Sequence, residues 1–442
     1  MKIKFLFWGG ASRHCRRLPS GRSAAFTPLQ RPQADRPIEP LTPIRTWKRA
    51  QARAPQPERG VYAASTSEFL PSLLCRESAV VPRLKRPEGR APGAVAKCAL
   101  FGVWVLMTLA LPAGAWDYEA HHAINELALA ALPPSYGGLE LTPALKSRIA
   151  FLGGEPDRWR NTTDLELKNY NGPDHYIDLE DIQWCGLTPE TLPPLRYDFV
   201  AAWVRARTLH PDNFPAIDPA KDADHTRELT GFLPWAITEY YEKLKSGFST
   251  LKALKQYGGT PEEIANAEAD LVYMMGVMGH YVGDGSQPLH TTRHFNGWVG
   301  PNPQGYTTRT TFHAWIDGGY FKKTGGVTAA PLLGKIHPAQ RLPGVAEPGG
   351  AFKLVVAYLV DGNKLVEPLY EMEKAGRLTG DGDQAMAGRP LLEEQLVKAG
   401  QMLGNLWYTA WLEAPEDTYL ERQLQQRAAG GTAPPSAPAT HP

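Results

Sequence analysis

His280-Tyr-Val-Gly-Asp284 sets an imidazole and a carboxylate four positions apart, which on a helix is one turn and one face. Both side chains can then reach one ion, with donors of the type that zinc accepts. Gln287-Pro288 interrupts the helix and His290 follows at the break. His313-Ala-Trp-Ile-Asp317 repeats the His/Asp spacing, and His121, Asp157 and His175 precede both, the last inside Asp174-His-Tyr-Ile-Asp178. One such pair is commonplace on a helix surface, and each histidine alone reads as an ordinary core or surface residue. Taken together the spacings describe a zinc-type N/O site. His14, His210, His225, His337 and His441 have no ligand-like spacing, and His294 earns no role.

The elements that must carry these groups read as helices. Apolar residues recur at near-helical spacing from Trp116 to Leu132, where Pro133-Pro134 ends the run. Residues 231–246 read as a helix with Pro234 near its first turn. From Pro261 to Asp284, Ile264, Ala267, Leu271, Met274, Met275, Met278 and Tyr281 trace a stripe, and Pro261 suits the first helical position. That stripe is core, not a cofactor box. Two last long helices are expected over 351–373 and 391–414, with loops near 297–305, 322–350 and 375–389. Strand-type alternation is scarce, there is no internal repeat, and the expected class is all-α in a single multi-helix domain over 116–429. Residues 430–442 read as a disordered tail.

The formal charge of +1 over 442 residues averages unlike segments. Residues 1–97 hold 19 basic against 6 acidic groups and 12 prolines, residues 98–115 hold no charge, and residues 116–442 hold 28 basic against 40 acidic. The first segment reads as a disordered basic arm, a transit peptide or a start placed too far upstream, and the adjoining apolar stretch favours the last. CALFGVWVLMTLAL at 98–111 is an apolar run with Arg90 and Lys97 before it and Ala113-Gly-Ala115 after it. That is the pattern of a secretory signal cleaved before Trp116; it is too short for a membrane span of about 20 residues. The expectation is an exported, periplasmic or extracellular, product of 327 residues. Of the 4 cysteines only Cys185 falls within it, so no internal disulfide can form, and metal is the natural staple.

The stretch His280-Tyr-Val-Gly-Asp-Gly-Ser-Gln-Pro-Leu-His290 closely resembles the signature of the zinc-dependent phospholipase C and single-strand-specific nuclease superfamily. The similarity in motifs runs from Trp116 to Asp317 and continues as helical similarity to about residue 415. The resemblance implies an all-helical fold with three zinc ions. It places Asp157, His175, His280 and Asp284 on one ion. The second would take the amine and carbonyl of Trp116, His121 and the other oxygen of Asp284; the third, His290, His313 and Asp317. His122 would point about 100° away on a helix and is the poorer ligand. Catalysis is assigned by resemblance to Asp157, Arg160, Asp178 and Asp284, with Arg160 at the phosphate and Asp178 as a supporting carboxylate. Tyr176, Arg160 and Asn296 are placed at the substrate, Tyr176 as an aromatic that stacks on a base. Open coordination positions suit hydrolysis by water activated at the ions. Spacing alone admits manganese or iron.

Two substrate classes share this signature. The 23-residue step from His290 to His313, Asp at 317, and the Trp116-to-His121 step resemble the nuclease branch. The phospholipases have a shorter loop and end on Glu. Against the nuclease, that branch carries Asp-x-Gly-Gly-Asn after its third His, where this chain has Arg293-His-Phe-Asn-Gly-Trp-Val-Gly. The acidic balance of residues 116–442 argues against broad binding along a long polyanion, although a short single strand fits a zinc-lined site with Tyr176, Trp298 or Tyr306 as stacking partners. The leading expectation is a nuclease acting on single-stranded DNA or RNA, monomeric and with no stable protein partner. Phospholipase C acting on phosphatidylcholine-like head groups is second. A noncatalytic zinc-stapled exported protein and a cytoplasmic nucleic-acid-binding protein are weaker alternatives.

Overall fold

A computed structural model describes residues 116–430; the leader and signal expectations, and the tail beyond 430, lie outside them. Among the described residues there is no strand, only an isolated bridge between Ile177 and Gly231, and the all-α expectation holds. The helices are α1 (Tyr118–Ala131), α2 (Pro143–Leu152), α3 (Glu155–Arg160), α4 (Leu165–Asn171), α5 (Arg196–Leu209), α6 (Leu233–Tyr257) and α7 (Pro261–Ser286). After a short helical segment at 312–323 come α8 (Gly350–Asn363), α9 (Val366–Lys374), α10 (Arg389–Leu412) and α11 (Thr418–Ala428). None is long and apolar enough to cross a membrane.

α7 starts where its sequence says it must. Thr260 and Glu263 form a reciprocal capping box around Pro261, which satisfies amide groups that the first turn leaves bare. Its apolar stripe packs on α6, and α1 lies along α10 with α7 and α2 beside it. Asn125, fully buried in α1, locks three of these helices. Its amide donates to the carbonyls of Ile149 (2.8 Å) and Gly276 (3.1 Å).

Boundaries moved where the apolar face ran on or a local stop cut it short. α6 runs to Tyr257, well past 246, because its apolar face continues through Leu251 and Leu254 until Gly258 ends it in the left-handed region (φ 88°). The helix expected at 351–373 is broken after Asn363 and resumes at Val366. Within the expected loops, Ala330–Lys335 forms a 3-10 turn and Gly382–Ala385 a single helical turn.

Candidate metal centre

The C-terminal turns of α7 deliver His280 and Asp284 side by side into a water-excluded interior, both fully buried. His121 enters from α1. Its Nε2 lies 3.5 Å from Asp284 Oδ1, and its ring stacks on that of His280 with centroids 3.9 Å apart. Gly283 makes this approach feasible: a Cβ there would fall 2.9 Å from His121 Nδ1.

A second set forms on the other side of the same carboxylate. His175, at the end of a 3-10 turn (Gly172–His175), brings Nδ1 to 3.0 Å from Asp284 Oδ2 and 2.9 Å from His280 Nε2. Asp157 of α3 approaches with Oδ1 3.9 Å from His280 Nε2. The two oxygens of Asp284 therefore face different sets, Oδ1 towards His121 and Oδ2 towards His175 and His280 (3.3 Å).

The third set joins the α7 break to the 312–323 segment. His290 Nε2 and His313 Nε2 are 2.9 Å apart, and His313 Nε2 is 3.1 Å from Asp317 Oδ2. Asp317 sits in a π-helical turn (Trp315–Gly319), the wide-turn geometry that often marks functional positions. Gln287, fully buried, donates its Nε2 to Asp317 Oδ1 at 2.6 Å.

Within each set the side-chain donor atoms lie within 4.8 Å of one another. Two ligands about 2.1 Å from a tetrahedral ion would sit about 3.4 Å apart, and the pair distances of 2.9 to 3.9 Å bracket that value. Ring orientation is fixed from behind. His280 Nδ1 donates to the Gly153 carbonyl (2.7 Å) and His290 Nδ1 to the His175 carbonyl (2.6 Å). A carbonyl can only accept, so Nε2 of each ring is left to present its lone pair.

For four of the five imidazoles electrostatics point the same way. Burial, then the neighbouring His280, holds His121 well below the ordinary imidazole value; burial and Arg160 bring His175 to about 3; burial and His290 depress His313. Burial also lowers His290, against the pull of Asp284. His280 goes the other way, because Asp284 and Asp157 outweigh its burial. Burial would raise Asp284, but His280, His290 and the hydrogen bonds of His175 and His280 hold it well below the usual carboxylate range. Asp317 is pushed well above it by burial, against the hydrogen bond from Gln287.

Neutral imidazoles beside buried carboxylates are what a divalent cation requires. Both ring nitrogens of His121, His175 Nε2 and Asp284 Oδ1 are buried without a hydrogen-bond partner. Each such atom costs about 1–3 kcal/mol unless something satisfies it. Together they fit metal ions, and these groups could hold them.

Trp116 is wholly buried, with its indole donating to the Gly283 carbonyl (3.0 Å), one residue from Asp284. The next amide, of Asp117, donates to the Asp317 carbonyl (3.0 Å). The start of α1 is thus pinned between two of the three sets. His122 is partly exposed and lies 3.7 Å from Glu126, away from the centre. Arg160 Nη2 pairs with Asp157 Oδ1 at 3.1 Å.

The centre opens at His290 and His313 onto a cavity of about 580 Å3, whose wall also includes Arg160, Tyr176, Asp178 and Phe295. Tyr176 is anchored through its hydroxyl to the Thr226 and Leu229 carbonyls (3.3 Å each). Gly231 (φ 92°) lies against its backbone where a Cβ would collide with the Tyr176 carbonyl. Burial, reinforced by Asp181 and Glu180, keeps the Asp178 carboxyl well above the carboxylate range, and its Oδ1 has no partner. Asp178 faces the cavity, while backbone carbonyls orient His280 and His290.

Asn296 accepts from the His313 amide (3.4 Å) and does not line the cavity; Trp298 stacks on His294 (4.0 Å) and Tyr306 is buried beside it. Of the three aromatics expected to stack on a base, only Tyr176 lines the cavity, and Trp298 and Tyr306 pack on their own loop. Sequence reasoning missed Gln287, Phe295 and the cavity's lysines; the signal for Gln287 was an amide side chain inside a wholly buried run. A further group joins buried Asp222, which accepts from the Arg227 amide, to exposed His225 and half-buried Glu228. Compared with known proteins, the chain matches no family model, and no curated protein matches it.

Proposed function

We propose that the chain is an exported, zinc-dependent phosphodiester hydrolase that cleaves single-stranded nucleic acid. One observation carries this reading: three His/Asp sets converge around Asp284, with buried unpartnered donor atoms, and open beside Arg160 onto one cavity. Asp157, His175, His280 and Asp284 would hold one zinc, and His121, Asp284 and the Trp116 main chain a second. His290, His313 and Asp317 would hold the third. Bound zinc supplies Lewis acidity and a water acidified towards a pKa of about 7.

The chain's own groups do the rest. Arg160 presents a guanidinium at the cavity wall, where it can meet the non-bridging oxygens of a phosphodiester and stabilise the charge that builds in line with the leaving oxygen. Its ion pair with Asp157 fixes its position. Tyr176 and Phe295 offer ring faces to a base. Asp178 faces the same cavity, its carboxyl pushed up by desolvation with Asp181 and Glu180 reinforcing the shift.

The test is chelation. EDTA dialysis should abolish hydrolysis of single-stranded DNA and of bis(4-nitrophenyl) phosphate, and zinc should restore both. Full activity in protein shown by elemental analysis to be metal-free would end this reading. Phosphocholine release from phosphatidylcholine vesicles without nucleotide release would move the assignment to phospholipase C.

A further inference from the structure

The cavity wall has a charge opposite to that of the segment that builds it. Residues 116–442 carry 40 acidic against 28 basic groups, yet the wall running outward from His290 and His313 carries Arg160, Lys168, Lys221 and Arg227. Of the two carboxyls in that wall, Asp178 lies at the inner end beside His290, and desolvation disfavours its charged form. The other, Asp224, is committed to structure. It accepts from the Thr226 hydroxyl (2.9 Å) and lies 3.4 Å from Lys168 Nζ.

Two elements build this wall and are tied together. α4 contributes Lys168 and Asn169, and the Asn169 amide donates to the Asp224 carbonyl at 2.8 Å. The 218–229 segment contributes Lys221 and Arg227. It is held by the Arg227 amide on Asp222 (3.0 Å), by the Arg227 guanidinium on the Lys221 carbonyl, and by Tyr176. The lysines themselves are held loosely. Lys168 pairs with Asp224 at 3.4 Å, part-exposed, and Lys221 with Asp218 at 3.5 Å, exposed. Such pairs are worth about 0–1 kcal/mol and yield readily to a phosphate.

We propose that Lys168, Lys221 and Arg227 form a subsite for the phosphates flanking the scissile one, so that the centre selects a polyanionic strand over a substrate with a single phosphodiester. This deepens the phosphodiesterase reading and rests on it. The same wall disfavours a phosphocholine head group. A quaternary ammonium is recognised by an aromatic cage, and here it would meet a cluster of cations with only Tyr176 and Phe295 for rings.

The experiment compares the zinc-loaded full chain with Lys168→Ala/Lys221→Ala on hexathymidylate and on bis(4-nitrophenyl) phosphate, in parallel with anisotropy titrations of labelled hexathymidylate. The double variant should lose at least tenfold in kcat/KM on the hexamer, mainly through KM, and less than threefold on the small diester. The salt dependence of hexamer binding should flatten by about 1.4 in log–log slope, two contacts at about 0.7 each. Lys168→Arg/Lys221→Arg should restore most of the loss. Equal losses on both substrates, or unchanged hexamer affinity and salt slope, would overturn the subsite. If the zinc-loaded wild type hydrolyses neither substrate, the phosphodiesterase reading fails by itself, and the anisotropy comparison still decides the subsite.

Discussion

The two halves of α7 are built for different purposes. Its N-terminal half, from Pro261 to Tyr273, is capped, amphipathic and mostly solvent-facing, with Leu271 and Val272 turned inward. From Met275 to Ser286 every residue is buried, and glycine occupies 276, 279, 283 and 285. Glycine costs about 1 kcal/mol relative to alanine in a helix, so the second half is a poor helix by propensity. It persists because partners close in where side chains are missing, including the ring of His121 at Gly283 and Asn125 at Gly279. One half supplies local helix stability; the other gives it up to let donors approach His280 and Asp284.

The largest expected effect comes from removing the group that both inner sets share. Asp284→Asn keeps the shape of the side chain and removes its charge. It should lower bound zinc by at least one ion per chain and cut phosphodiesterase activity by more than about 100-fold, exceeding the range typical of supporting residues. In EDTA the variant should also be less stable than wild type at neutral pH, because His280, His290 and the hydrogen bonds of His175 and His280 favour the ionised Asp284 in the folded chain. Elemental analysis, kinetics and urea unfolding in EDTA check the three statements, and retained full activity would sink the assignment.

Gly283→Ala separates helix propensity from approach. On an exposed helix it would stabilise by about 1 kcal/mol. Here the new methyl meets His121 Nδ1 at 2.9 Å and Ile124 Cδ1 at 3.0 Å, and overpacking costs about 1–3 kcal/mol. The expected result is net destabilisation together with weaker zinc retention in competition with a chelator. A more stable protein with unchanged zinc content would show that the glycine is not there for His121.

Much of this contrast was legible in the sequence. Pro261 and the stripe ending at Tyr281 gave α7 and its start, and the His280/Asp284 and His313/Asp317 spacings gave paired ligands, because helical period and one-turn spacing are local properties. The π-helical turn carrying Asp317 was not foreseeable from period alone. Within it Gly318 lies so close to the Asp117 side chain that a Cβ would collide, a partner some 200 residues away. Nor did spacing reveal that His280 and His290 are oriented by the Gly153 and His175 carbonyls, since backbone acceptors carry no sequence signature. The 218–229 segment, with no apolar period, gave no hint that Lys221 and Arg227 share a wall with His313.

Gln287 lies just past the functional half of α7, where the helix ends. Gln287→Leu removes the donor to Asp317 Oδ1 and the acceptor for the Leu289 amide (2.6 Å). Supporting residues of this type are worth about 10–100-fold in metal affinity. The loss should fall on the ion at His290, His313 and Asp317, so that zinc titration by calorimetry shows one weakened site beside the others unchanged. Uniform weakening of every site would mean that the substitution disturbs α7 as a whole.

The smallest effect belongs to the other end, about 30 Å from Asp284 along the helix axis at 1.5 Å per residue. Glu263 accepts from the Thr260 amide (2.7 Å) and pairs with both terminal nitrogens of Arg427 (2.8 and 3.0 Å). The hydrogen bonds from Arg427, then Thr260, pull its carboxyl from 4.5 to about 2. A carboxyl depressed on folding stabilises the native state above its unfolded value, and the contribution fades as pH falls from about 4.5 through about 2. The site is exposed, so Glu263→Gln should cost only about 0.5 kcal/mol at pH 7. That difference should shrink in high salt and vanish below about pH 2, while zinc content and kcat at neutral pH stay at wild-type values. A change in zinc content would mean that the two halves of α7 are coupled, and that capping at residue 260 is felt at residue 284.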